Sequence, residues 1–223
     1  MCKPLEHYFG RHDGALFNSL LGHELRVLKE PQVWLALAMT MLGFGDVFVV
    51  FTYIASILEQ VSRFSPHGVT LVLVLFGVDL TIGNTIGDKL ADRALMPSLM
   101  GILVALAIIM AMFAKTSHNQ MLAAITIFIW GIAAFATLLP LQTRVVEKAK
   151  HAPNLASTLN IAAFNLGNAG GAWLGGMVLQ QGHPLDSLPV AAVVAVVALD
   201  VTWYAARLDR SGQGAGAGAV DGV

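Results

Sequence analysis

Six apolar runs separated by short polar connectors fill the chain between Pro31 and Arg207: Val33–Leu58, Val69–Ile86, Leu95–Ala114, Met121–Leu141, Asn154–Leu179 and Leu188–Ala206. A helix needs about 20 mostly apolar residues to cross the hydrocarbon core of a bilayer. Each run therefore predicts one membrane-spanning helix, and together they predict an all-α integral membrane bundle over residues 31–208. Before it, in segment 1–30, Leu16, Leu20, Leu21, Leu25 and Leu28 fall near helical spacing. That spacing predicts either a helix along the membrane surface or a solvated linker helix. The Gly- and Ala-rich tail, residues 209–223, shows no periodicity and predicts disorder.

Composition agrees. Hydrophobic residues make up 56% of the chain and charged residues 12%, with a mean hydropathy of +0.69. A water-soluble domain carries about twice that share of charge. The net charge of −1 speaks against a nucleic-acid surface. A lone cysteine, Cys2, gives no disulfide framework, and the seven histidines fall in loops or termini without ligand spacing on a helix, so neither a metal nor another cofactor is expected.

Charge placement predicts orientation. Eleven of the thirteen Lys and Arg residues fall in the N-terminal segment, the second-to-third connector, the fourth-to-fifth connector or the tail. Only Arg63 and Lys115 fall on the other side. The positive-inside bias then puts both termini in the cytoplasm, and an even number of spans requires that they share a side.

The second span contains Gly83-Asn84-Thr85-Ile86-Gly87 and the fifth Gly167-Asn168-Ala169-Gly170-Gly171. Both read Gly-Asn-x-x-Gly, and both sit in the middle member of a three-span set. Two consecutive triplets have opposite topology because three is odd, which predicts two inverted three-helix repeats. Gly83 and Gly87 share a face, as do Gly167, Gly171 and Gly175. Small residues four apart let helix backbones approach closely, so these faces serve either tight packing or a surface on which helices rock.

Polar groups inside the spans are the candidate site. Asp46 lies mid-span in the first helix and Asp79 in the second, one turn before Gly83. A carboxylate at the bilayer centre costs on the order of 2.5–3.5 kcal/mol. The thirteen Leu, Ile, Val and Phe residues of Val33–Leu58 offset that cost at roughly 0.3–0.6 kcal/mol each. Asp46 is thus a candidate proton relay. With it, Tyr53, Asn84, Trp130, Gln142, Asn160 and Asn165 are candidates to line a pocket for a moderately polar organic solute, or else to bond between helices. Arg144 and Glu147 read as solvated charges at a helix end.

The run Gly87-Asp88-Lys89-Leu90-Ala91-Asp92-Arg93 resembles the loop signature of the major facilitator superfamily, Gly-x-x-x-Asp-Arg. Pro31-Gln32-Val33-Trp34, Phe51-Thr52-Tyr53-Ile54-Ala55, Pro140-Leu141-Gln142-Thr143-Arg144-Val145 and the stretch from Asn165 to Gly176 are similar to its drug:proton antiporter group, in particular the arabinose-efflux-like members. The resemblance covers roughly residues 24–208 and only the C-terminal six of that family's twelve helices. It implies half of an efflux transporter in a bacterial-type inner membrane, exchanging a small organic solute such as a sugar or drug for protons. It also implies partners: the lipid bilayer, the solute, and an N-terminal six-helix half or a homodimer mate. Asp92 and Arg93 fit the signature, which in the family latches the cytoplasmic face; Asp88 stands where its glycine belongs. The resemblance further leads us to expect small residues at 46 and 79 and proline at 56, where this chain has Asp46, Asp79 and Ser56. The aspartates are therefore either functional or damage. A second reading is a truncated, transport-inactive membrane remnant or an interaction subunit. An enzyme is not expected, since no span carries His-Glu-x-x-His or a Gly-x-Ser-x-Gly elbow.

Overall fold

The computed structural model describes residues 25–185 and 191–217. A 3-10 turn, Leu25–Lys29, leads into α1 (Pro31–Phe51), α2 (Ile54–Gln60), α3 (Pro66–Thr116), α4 (Gln120–Ala136), α5 (Leu138–Lys148), α6 (Pro153–Gln180) and α7 (Ala191–Ala217). No strand occurs among the described residues.

These elements make six passes. α1 and α2 form the first, interrupted at Thr52–Tyr53 where Tyr53 leaves helical geometry. α3 holds 51 residues, about 76 Å of helix at 1.5 Å per residue and far more than one bilayer. It breaks at Ala94, whose φ of −163° and ψ of 88° are extended. Pro97 follows, and its ring and missing N–H disfavour an unbroken helix through Arg93. Ser98 Oγ crosses the break to donate to Leu90 O at 2.8 Å. The second and third passes are the two halves of α3. α4 and α5 form the fourth, broken at Thr137, and α6 and α7 are the fifth and sixth. Pro31–Gln60, α3 and Gln120–Lys148 are long and apolar enough to cross a membrane by length and composition. α6 is diluted by glycines and asparagines, and α7 by its charged end; both pack along α1.

Helix starts follow local chemistry. Pro31, Pro66 and Pro153 occupy first turns, where the missing N–H costs nothing. Ser65 Oγ accepts from Gly68 N, and Asn119 Oδ1 accepts from Met121 N and Leu122 N. Outward faces are apolar, with Val74, Ile108, Met121, Leu166 and Trp173 all more than half exposed. That is the surface of a lipid-embedded bundle.

Two expectations at the ends need correction. Most of the expected surface helix lies outside the described residues. Its described part is a 3-10 turn tied to the bundle: Val27 is buried with Val33, Ala36 and Val145, and Trp34 Nε1 donates to Leu28 O at 2.8 Å. The described part is thus a packed 3-10 turn rather than an α-helical stretch, because Val27 finds an apolar partner in the bundle. The tail expected to be disordered from residue 209 instead continues α7 to Ala217. Within that extension Ser211 Oγ donates to Leu208 O.

The two glycine motifs make matching contacts. A Cβ added to Gly83 would lie 2.5 Å from Ile132 O, and one added to Gly87 would strike Ala136 O. Across the bundle, a Cβ on Gly167 would strike Met41 O, and one on Gly171 would strike Gly45 O. Span two thus seats on span four as span five seats on span one. The two contacts correspond under the pseudo-two-fold of inverted three-helix repeats, which maps span two to five and span four to one. The seam between spans two and four has a local cause as well. Pro140 has no N–H to offer its i−4 carbonyl, Ala136 O, and Gly87 approaches that same oxygen.

Candidate functional site

The interior between the two seams is aromatic. Phe164 meets Phe44 edge-on at 4.9 Å, Phe44 meets Phe48 at 5.8 Å, and Phe48 meets Phe51 at 5.3 Å. Phe51 meets Phe76 at 5.4 Å, and Phe76 meets Trp130 at 5.8 Å and Phe135 at 6.3 Å. The rings run from span five through spans one and two to span four. Tilted and edge-on pairs of this kind are favoured by the ring quadrupole. The sequence reading singled out Trp130 and missed the chain of rings around it.

The structure sorts the candidate residues into three groups. Asp46, Trp130 and Asn160 are inside the bundle, at 2%, 1% and 1% exposure. Asp46 Oδ1 has no partner. Asn160 Oδ1 accepts from Thr40 Oγ1 at 2.8 Å, a bond between spans five and one, while its Nδ2 is unpartnered. Tyr53 and Asn84 are half-buried. Tyr53 donates to Ala172 O at 3.0 Å and lays its ring against Gly175, so it braces span one on span five. Asn84 Oδ1 is buried without a partner, and so is Oδ1 of Asn168, its counterpart in the second motif.

Gln142 and Asn165 are exposed. Gln142 lines a cavity of about 480 Å³ with Leu139, Glu147 and Lys150, and Asn165 Nδ2 donates to Ile161 O in its own helix. The buried and exposed groups do not meet in one chamber of this bundle.

In the loop signature, Gly87 is buried in the seam, while Asp88, Lys89, Asp92 and Arg93 are exposed. None of these four forms an ion pair with another described residue. Lys89 does not neutralise the neighbouring Asp88: adjacent residues on a helix diverge by about 100° and do not face each other.

A second charged group was misread from the sequence. Arg144 is not a solvated helix-end charge but is 3% exposed. Its Nη2 lies 2.7 Å from Asp209 Oδ2, and Lys148 Nζ lies 2.6 Å from Asp209 Oδ1. Asp209 closes the end of span six onto span four at the basic end of the bundle. Beside it is a cavity of about 500 Å³, lined by Gln32, Met96, Arg144 and Asp209 among others. Two unpartnered buried atoms belong to this lining, Gln32 Oε1 and Arg144 Nε. The sequence signal was there in the i, i+4 spacing of Arg144 and Lys148. It had no acid to go with it while residue 209 was assigned to the tail.

Asp79 is fully buried, and neither carboxylate oxygen has a partner. It fits where Gly131 of span four leaves room: a Cβ at 131 would strike the Asp79 side chain.

Known proteins bear on this geometry. Residues 11–172 match the pattern described as Major Facilitator Superfamily. The chain is 45% identical over 185 residues to the "Inner membrane transport protein YdhP" of Escherichia coli (strain K12), covering 82% of this chain and 48% of that protein. It is 31% identical over 176 residues to the "Putative transporter AraJ" of the same organism, covering 77% and 44%. It is 26% identical over 181 residues to a "Probable sugar efflux transporter" of Helicobacter pylori (strain ATCC 700392 / 26695), covering 81% and 45%. The chain thus spans about half the length of these relatives. Helical content, apolar outer faces and sequence agree, and the expectation that it is not an enzyme agrees with them: the chain is a membrane protein of the Major Facilitator Superfamily.

Proposed function

We propose that this bundle is the C-terminal half of an efflux carrier that exchanges a small organic solute, such as a sugar or drug, for protons across a bacterial-type inner membrane. The observation that carries the reading is the pair of exchanged seams, span two on span four and span five on span one. Alternating access in such carriers is the rocking of one six-helix bundle against another around a midplane site. A bundle built from two interlocked triplets is suited to move as one body in that cycle. Both ends face the cytoplasm in this reading, as the basic connectors require.

Asp46 is the proposed proton carrier of the cycle. It is a buried mid-span carboxyl with an oxygen that no protein group satisfies, and intramembrane carboxyls serve proton relays. Similarity to the Helicobacter pylori protein named as a probable sugar efflux transporter supports a sugar within the solute class. The partner is a six-helix N-terminal bundle, with a second copy of the chain as the other arrangement. The exposure of Asp88, Lys89, Asp92 and Arg93 supports a latch onto it.

The test is reconstitution of the chain in vesicles with an imposed proton gradient, with and without the N-terminal six-helix bundle of the Escherichia coli relative. Proton-driven sugar or drug flux is expected only with both halves, and Asp46→Asn abolishes it. Flux by the chain alone would favour the homodimer. Absence of flux in both arms would overturn the reading in favour of an inactive membrane remnant, which the unpartnered carboxyl of Asp79 also fits.

A further inference from the structure

We propose that Asp79 is a proton-binding site inside the seam between spans two and four, and that losing its proton opens that seam. Asp79, Gly83 and Gly87 repeat every four residues along one stripe of α3, and the two glycines carry the backbone contacts with α4 and its end. One turn above Gly83 the arrangement reverses. The side chain is now on span two, and the missing Cβ is at Gly131 of span four. The carboxyl fills that space at zero exposure, with no donor to either oxygen. A carboxylate stripped of water and of donors is not sustained in an apolar contact, so the closed seam holds the neutral acid. Ionisation requires a water molecule to reach Asp79 and accept its proton, leaving carboxylate and hydronium. In this packing a water enters only if spans two and four separate. Proton binding and seam closure are therefore the same event seen from two sides.

Among the described residues, no other ionisable group is placed to take the proton's part. α4 has no ionisable residue from Gln120 to Ala136. On α5, Arg144 and Lys148 are engaged with Asp209 of α7, and Glu147 is exposed at the basic end. On α7, Asp200, Arg207 and Arg210 are exposed and turned outward. Glu59 on α2 is exposed, and so are His67, Asp88, Lys89, Asp92, Arg93 and Lys115 on α3 itself. Asp46 on α1 makes no bond to Asp79.

The site deepens the proton-coupled reading above and rests on it for its use, yet it is tested without flux. Nitroxide labels at the exposed positions Leu80 on span two and Ile129 on span four, in a Cys2→Ser background, report the seam by pulsed electron resonance in lipid vesicles. In the otherwise unaltered chain, the population at the longer interlabel distance should rise as the buffer goes from acidic to alkaline. In Asp79→Asn it should stay at its acidic level throughout. Should Asp79→Asn fail to assemble, Asp79→Gly, which leaves the backbone contact free to close, takes its place with the same expectation. A distance that ignores pH in the unaltered chain overturns the proposal. So does a shift that survives in the Asp79 variant, which would assign the response to another group. A pH-sensitive seam without flux would sink the carrier and keep the site; flux with an insensitive seam would do the reverse.

Discussion

Spans one and five, and spans two and four, meet through the same kind of contact but fasten it differently. In the first seam Gly167 and Gly171 lie on Met41 O and Gly45 O, and Thr40 and Asn160 add a buried hydrogen bond at 2.8 Å. Tyr53 closes the far end on Ala172 O. In the second, Gly83 and Gly87 lie on Ile132 O and Ala136 O, but the polar group one turn away, Asp79, bonds to nothing. Backbone fit is common to both, and a polar bond across the contact belongs to one. Repeated motifs therefore predict where helices touch, while the residues flanking them decide which contact is fixed and which is free to respond.

Breaking the ends first tests whether the seams suffice. Asp209→Ala leaves Arg144 buried without its anion, and loss of one partner of a buried pair costs about 3–5 kcal/mol. The expected outcome is a clear fall in Tm in detergent; an unchanged Tm would mean the seams hold the bundle unaided. Next, Gly171→Leu and Gly87→Leu insert a side chain where each backbone touches its partner. Both should cost about 3 kcal/mol in denaturant titration, at the upper end of overpacking effects. Unequal losses would show that the two seams are not equivalent in fit. The smallest effect sharpens the difference in fastening. Thr40→Val removes the hydroxyl that Asn160 accepts from and should cost about 1 kcal/mol. A loss near zero would remove the hydrogen bond as the distinction between the seams.

Much of this was legible in the order of residues. The apolar runs anticipate the six passes, and the two Gly-Asn-x-x-Gly motifs anticipate the seams, because both signals are local. What was not legible depends on what lies opposite. Asn160 and Asn165 are the same amide five residues apart, yet that spacing turns them well apart around a helix. One bonds across to Thr40 and the other to its own backbone. Trp130 looked suited to line a pocket and is instead packed in the ring chain, since Phe76 lies against it. Gly131 gave no sign of being the space for Asp79. The clamp on Asp209 was hidden by the glycines beyond it, which suggested that order had already ended.

The chain of rings from Phe164 to Trp130 has a mechanical consequence. Each ring is held edge-on or tilted against the next, so turning one about its side-chain bonds drives it into its neighbour. Phe51 and Phe76 join the halves of this train across spans one and two. The train thus keeps the two seams in unbroken contact, from Phe164 on span five to Trp130 on span four.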